Sequence, residues 1–560
     1  MRLQLALATC CLFLVLTAGA IQNETSTTPE TATTPETSTN SASSTTSTLP
    51  GTPEIFPLAE RCAGCHDNIE AEDDSRHSYV ADWHQNVHSQ SSLDPLFLAV
   101  ARTETLILPE ASEEIQGVCA SCHLPMADLA AQSQGTSRAF LDKAALSDDE
   151  LYALYAEGDS CMICHQLTTA EVPGNESYRE SLFSINLSPI EPDGMRTLYS
   201  FYDLGDEGKA MMERALGYES AQEKEIHQNS ICSPCHTLYT DSFSVEGEPT
   251  GIQLPEQVTM MEWDSSGYGN PTCQSCHMPL LTRSGVFSNR EVADAVVGQV
   301  RAHTFLGANS YLLRLNNDEQ GFFDQGIEQT EEFLQTQTAY LGLNRKVEEN
   351  PDGSGLLALD VRISSMVNHK FPTGFPSRRA WIHVKVLDEA GNIIYESGAY
   401  DDEGKILDND GDLQKGEFEP HYDIIDQPGQ VQIYEAVMID SNGKATTYLL
   451  QGVYYGKDNR LLSTGFDKSV APDDCAVMGD AKDDGNFTAG KDTVHYRITL
   501  PEGTGEVTIE VELLYQTVGY RFLKNLEDYP SAEQQALAEL LEDNPNTPSL
   551  ITSKTVTVNR

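Results

Sequence analysis

Cys62-Ala63-Gly64-Cys65-His66 is the stretch on which the reading turns, because the chain repeats its pattern four more times. The other copies are Cys119-Ala-Ser-Cys122-His123, Cys161-Met-Ile-Cys164-His165, Cys232-Ser-Pro-Cys235-His236 and Cys273-Gln-Ser-Cys276-His277. Two thiols separated by two residues can each form a thioether with one vinyl group of a haem, and the next residue, His, then stands over the iron as a ligand. The competing chemistries are five disulfides and structural zinc held by CxxC pairs. Neither requires His directly after the second Cys, and all five copies have it. The pattern therefore predicts five covalently bound haem c groups, with His66, His123, His165, His236 and His277 on the irons. Of the remaining cysteines, Cys10 and Cys11 fall in an N-terminal apolar run and Cys475 reads as a free buried thiol.

Nine other histidines are available as second ligands, and five would close every iron. His77, His84 and His88 cluster around Trp83 in HSYVADWHQNVHS. On a helix His84 and His88 share a face, so both can point towards haems. His227 lies five residues before Cys232, close enough to cap that haem or a neighbour. His303 in RAHTFLGAN and His369 in NHKFPTGFPSRR are flanked by turn-forming residues. His383, His421 and His495 read as ordinary residues of a β region, His383 lying opposite the Ile382, Val384, Val386 face.

Outward from the motifs, the chain of 560 residues divides by composition. Arg2, an apolar run to Thr17 and Ala18-Gly19-Ala20 read as an export signal over 1–20. Residues 21–57 are dominated by Ser, Thr, Pro and Glu, with the near-repeat TTPETATTPETST, and read as a flexible tether that cannot bury a core. Residues 58–344 form the Cys- and His-rich haem region, mostly α or irregular, with helical patches at 148–156 and 209–216 and no long strand pattern. Residues 345–525 carry strand patterns at 356–363, 381–387, 431–439 and 507–513, and are expected to form an antiparallel β-sandwich-like domain. A helix at 531–542 and a strand at 551–558 make up a C-terminal piece, 526–560. The expected class is α+β and multidomain. No stretch approaches the ~20 apolar residues of a membrane span.

The net charge of -51, from 86 acidic and 35 basic residues, argues against nucleic acid as a partner. It favours basic or metal-bearing partners, or a salty habitat. Asp408-Asn409-Asp410-Gly411-Asp412 is a candidate calcium loop, although its Gly stands at the fourth position where an EF-hand has it at the sixth.

The CxxCH repeats, WHQNVHS, CHMP at 276–279, HTFLG at 303–307 and NHKFPTGFPSRRAWIHVKVLD at 368–388 resemble multihaem cytochromes c of the group around hydroxylamine oxidoreductase and its tetrahaem electron acceptor. The β region is similar to that of extracellular and periplasmic respiratory cytochromes, some of which polymerise into filaments. The resemblance covers roughly residues 58–525. It implies that His88, His227, His303 and His369 are second ligands and that the fifth is His77 or His84. The Ser/Thr-rich tether departs from those relatives, and the order of the motifs departs from the enzyme among them. The expected function is electron transfer between a redox donor and acceptor by an exported, periplasmic or cell-surface protein with low-potential haems. The alternatives are an oxidoreductase acting on a small nitrogen or sulfur compound, and a subunit of a homopolymeric filament or membrane-associated redox complex.

Overall fold

Cys, Cys and His at positions i, i+3 and i+4 fall on one side of a helix, and helices are what most of the motifs adopt. In the computed structural model, the motif residues end or form the helices Ala59–His66, Ser112–His123, Cys161–Cys164 and Cys273–His277. The Cys232 copy instead follows a 3-10 turn, Asn229–Ile231. The structure describes residues 56–70, 76–141, 149–167, 196–267, 269, 271–284, 287–290, 298–317, 320–352 and 354–559. The expected export signal and the tether up to residue 55 lie outside these. Phe56 and Pro57, assigned to the tether, are buried, and Phe56 lies beneath the Arg196 guanidinium.

Between the motifs run helices Pro95–Ile107, Pro125–Gln134, Asp149–Ala156 and Gly205–Leu216. Pro95–Ile107 starts where it does because Asp94 accepts from the Phe97 N–H at 2.9 Å and Pro95 needs no such partner. The haem region also contains an antiparallel hairpin of Thr237–Phe243 and Pro249–Val258, where no long strand was expected. Pro249, Gly251 and Pro255 interrupt its alternation, and two register shifts accommodate them.

The C-terminal part builds two sheets. In the first, Gly355–Ser365 pairs antiparallel with Ala339–Glu349 on one side and Lys491–Leu500 on the other. In the second, Arg379–Leu387 pairs with Val507–Gln516 in register from Arg379 opposite Gln516 to Leu387 opposite Thr508. Alternation places Leu357, Leu359, Val361 and Ile363 of the first sheet in the same buried core as Ile382, Val384, Ile509 and Val511 of the second. The C-terminal piece is not separate from this arrangement. Ser549–Val558 is the neighbour of Val507–Gln516 in the second sheet, and the preceding helix, Ala532–Asp543, is tied to Pro95–Ile107 by the Glu533–Arg102 ion pair at 2.9 Å.

A buried ion network joins the sheets to the haem region. Lys370 meets Asp458 at 2.7 Å, and Arg460 bridges Asp458 at 2.7 Å and Glu262 at 2.8 Å. Glu262 belongs to the helix Thr259–Asp264 and also accepts from the Lys370 N–H and the Thr373 hydroxyl. Burial by itself would raise the Asp458 carboxyl, but Arg460 and Lys370 more than offset it and hold it at about 2. Asp458→Ala leaves two buried cations without this partner, and we expect a loss of about 3–5 kcal/mol, read as a lower guanidinium midpoint at neutral pH. The depressed carboxyl contributes fully above its unfolded value of about 3.9, and loses that contribution as the pH falls towards the folded value. The gap between wild type and variant should therefore narrow across that acid window.

Candidate functional site

One cavity of about 1830 Å³ is lined by all ten CxxCH cysteines and all five motif histidines. No disulfide joins these thiols among the described residues. Thiols of different motifs approach closely enough to perturb one another's acidity: Cys62 with Cys161, Cys122 with Cys235, and Cys232 with Cys273.

Four of the motif rings are held in one orientation by backbone carbonyls. The His66 Nδ1 meets Phe287 O at 2.9 Å, His123 meets Ser91 O at 3.1 Å, His165 meets Tyr199 O at 2.7 Å, and His277 meets Leu306 O. A carbonyl can only accept, so Nδ1 carries the proton and Nε2 keeps the lone pair that binds metal. Burial also holds the cavity imidazoles neutral: it lowers His88 and His123 to about 4, and His236 and His303 to about 3.

Three of the motif rings face a second imidazole. His88 and His236 have centroids 6.3 Å apart, His165 and His303 6.4 Å, and His277 and His369 6.3 Å. Metal–imidazole bonds of about 2.0 Å on both sides of one ion separate ring centroids by roughly 6 Å. A direct stack would bring them much closer, as with Phe97 on His123 at 3.8 Å. The residues present thus fit haem: paired thiols for attachment, oriented Nε2 atoms, and opposed rings with room for an iron between them.

His77 and His227 also line the cavity, and His84 does not. The shared helix face expected for His84 and His88 is absent, because the helix Tyr79–His84 ends there and Val87–Gln90 is a separate turn. Asn86 causes the break. Its backbone is extended and its side chain caps the second turn by accepting from the His88 N–H at 2.9 Å. His227 does not face His236, whose ring is opposite His88, so of the two haems it was expected to cap only a neighbouring one remains.

The remaining sequence candidates lie elsewhere. His383 is held between Glu396 and Glu512 at 2.9 and 3.1 Å, and His495 by Asp360 at 2.7 Å. His421 approaches Asp484 and Asp492 closely enough to suggest a metal site. Its Nδ1, however, accepts from the amides of Gln432 and Asn459 at 2.8 and 3.0 Å. Nε2 must then carry the proton, given to Asp484 at 3.1 Å, so the ring is committed to this network. In the candidate calcium loop, Asp412 is ion-paired with Arg379 at 2.9 Å and accepts from the Ile406 N–H, so one of its three carboxylates is committed to the protein itself.

No protein-family model matches the chain, and no curated protein matches it. Among solved structures, it is similar to the crystal structure of a penta-heme cytochrome c552 from Thermochromatium tepidum, with a TM-score of 0.51 over 90% of this chain and 100% of that chain, at 16% identity. The two share a fold. At that identity the likeness extends to the fold alone.

Several positioning residues carried no signal in the sequence. Asp82 accepts from the His303 N–H at 2.8 Å, and Ser91 bonds His123 through both its carbonyl and its hydroxyl. Gly158 has a φ of +58°, and a Cβ there would lie 2.6 Å from His88 O and 2.7 Å from Ser91 Oγ. Gly135 has a φ of +66° with open space around it. Ala at either position carries the left-handed cost of about 1–2 kcal/mol. Only Gly158→Ala adds a steric penalty of about 1–3 kcal/mol, because it pushes against the turn that aligns His88 and His123. Urea unfolding of both variants should rank Gly158→Ala clearly below Gly135→Ala.

Proposed function

We propose that the chain is an exported pentahaem c-type cytochrome that passes electrons between redox partners in the periplasm or at the cell surface. The carrying observation is the set of three imidazole pairs held 6.3–6.4 Å apart across a cavity lined by all five CxxCH motifs. An iron closed by two His ligands changes charge with little rearrangement and offers no place to a substrate, which suits a carrier. On this reading His88 serves the haem of Cys232 and Cys235, His303 that of Cys161 and Cys164, and His369 that of Cys273 and Cys276. The second ligand of the His66 iron comes from His77 or His227.

We read an order of the haems from the approaches between thiols. Cys62–Cys161 couples the first motif to the third, Cys122–Cys235 the second to the fourth, and Cys232–Cys273 the fourth to the fifth. Cys164 of the third motif lies near both Cys232 and Cys235. The haem of the fourth motif is then a junction, with the first, second and fifth motifs as termini. Donor and acceptor proteins would dock at two of these ends, and the excess of acidic residues favours basic faces on those partners.

Intact mass spectrometry should find five haem masses on the polypeptide. The acidic excess stabilises ferric haem, so most of the haems should titrate below the standard hydrogen potential; a titration placing most above it would overturn the low-potential reading. His88→Ala should convert one low-spin haem to high-spin in the EPR spectrum. His84→Ala should leave the spectrum unchanged.

A further inference from the structure

The proposed order of haems has three ends, and the cavity meets the surface differently at each. At the first motif its exposed lining includes Arg61, Arg214 and Arg290. Contacts tie them there: Arg61 donates to the Ala215 carbonyl at 2.8 Å, and the Asn289 N–H to the Cys65 carbonyl at 2.8 Å. At the fifth motif Ser275, Cys276 and Pro279 are exposed on the lining, and none carries a charge.

The second motif has an apolar opening. In the helix Ser112–His123, residues Ile115, Val118, Cys119 and Cys122 recur at the three- and four-residue intervals of one face, and all four line the cavity. Val118 is nonetheless 49% exposed, so a single side chain stands between this part of the cavity and solvent. A second wall is the hairpin of Thr237–Phe243 and Pro249–Val258, whose Asp241 and Phe243 also line the cavity. The hairpin tip approaches the segment before the helix: a Cβ at Gly247 would lie 3.8 Å from Leu108 Cδ1.

The charges beside this opening are of one sign. Glu110, Glu113 and Glu114 surround the start of the helix, Asp241, Glu246 and Glu248 stand on the hairpin, and all six are exposed. The segments 105–118 and 237–258, which carry both walls, contain no Lys or Arg. Arg138 does reach the Gly117 carbonyl, at 2.7 Å, but it is paired with Asp128 at 2.5 Å. An apolar centre with a polar rim is the anatomy of a protein interface. A rim of like charges adds a local potential that gathers partners of the opposite charge.

We infer that the opening at Val118, between the helix Ser112–His123 and the hairpin, is the docking face for a soluble redox protein whose own exposed redox group is ringed by Lys or Arg. This rests on the five-haem reading and deepens it, because it names which end of the network meets which kind of partner. Each encounter moves one electron between a haem of this chain and the redox group of the partner, one being oxidised as the other is reduced. The approach of Cys122 to Cys235 connects this end to the junction haem. The arginines at the first motif repel such a partner, and the fifth motif has no charge of its own to attract it.

The probe is a small basic cytochrome c with one haem and lysines around its exposed edge, supplied in the ferric state. Chemically reduced protein, verified by mass to carry five haems, is mixed with it in a stopped-flow spectrometer over a series of salt concentrations. The second-order rate should fall steeply with salt. Glu110→Lys with Glu114→Lys should slow it about tenfold or more at low salt and flatten the salt dependence. Glu246→Lys with Glu248→Lys should do the same from the hairpin side. The comparison variant, Glu328→Lys with Glu332→Lys, makes an equal change of net charge on the helix Asp324–Gln337, whose Phe333 ring lies 5.7 Å from that of His277 in the fifth motif. It should leave the rate within about twofold, the effect of net charge alone. Equal slowing in all three variants, or none in the two rim variants, would overturn the inference, and slowing in the comparison variant alone would move the docking face to the fifth motif. Reduction of a small neutral quinone by the same samples separates the two levels of failure. Loss of quinone reduction in the unaltered protein, or a haem count below five, defeats the electron-carrier reading, whereas normal quinone reduction with unchanged rates in the rim variants defeats the docking face only.

Discussion

The hydrogen bond from a motif imidazole Nδ1 to a backbone carbonyl is the interaction on which the rest of this structure depends. It decides which ring nitrogen is free and where that nitrogen points. The accepting carbonyls of Ser91, Tyr199, Phe287 and Leu306 belong to segments 29 to 221 residues away from the rings they hold. Each of these four motifs is thus a local arrangement of thiols and ring, completed by a distant strand or turn. A cavity with its lone pairs directed inwards requires the chain to fold around it.

The opposing rings obey the same logic from the other side. His303 is set by Asp82 and by the Arg301 carbonyl, and His369 by the carbonyl of Lys370. Lys370 is itself locked into the buried network of Asp458, Arg460 and Glu262. That network runs from the sheets to the helix Thr259–Asp264, so the β part of the protein is more than a neighbour of the haem region. It delivers His369 to the cavity, and its ion pairs hold the approach of that ring to His277. Buried ion pairs contribute little net stability when compared with apolar packing. Here their value lies in geometry.

Much of this was legible in the chain. The five motifs announce their own chemistry because the thiols and imidazole that act together are adjacent in sequence. The strands at 356–363, 381–387 and 507–513 were visible because their side chains alternate and one face is buried. The hairpin of Thr237–Phe243 and Pro249–Val258 was hidden by proline, glycine and polar residues, its pairing being decided by register shifts. The shared face expected of His84 and His88 failed because Asn86 finds a better partner in the His88 N–H than in a continuous helix, a competition that spacing does not reveal.

The sequence by itself determined the paired thiols, the ring that follows each pair, and the alternating strands, since each depends on groups within a few residues of one another. Tertiary structure alone decided which second imidazole faces which motif, and why His77 and His227 line the cavity while His84 does not. Those outcomes depend on pairs separated by up to 148 residues, as between His88 and His236. Only the folded backbone, with its carbonyls and buried ion pairs in place, sets the distance between them.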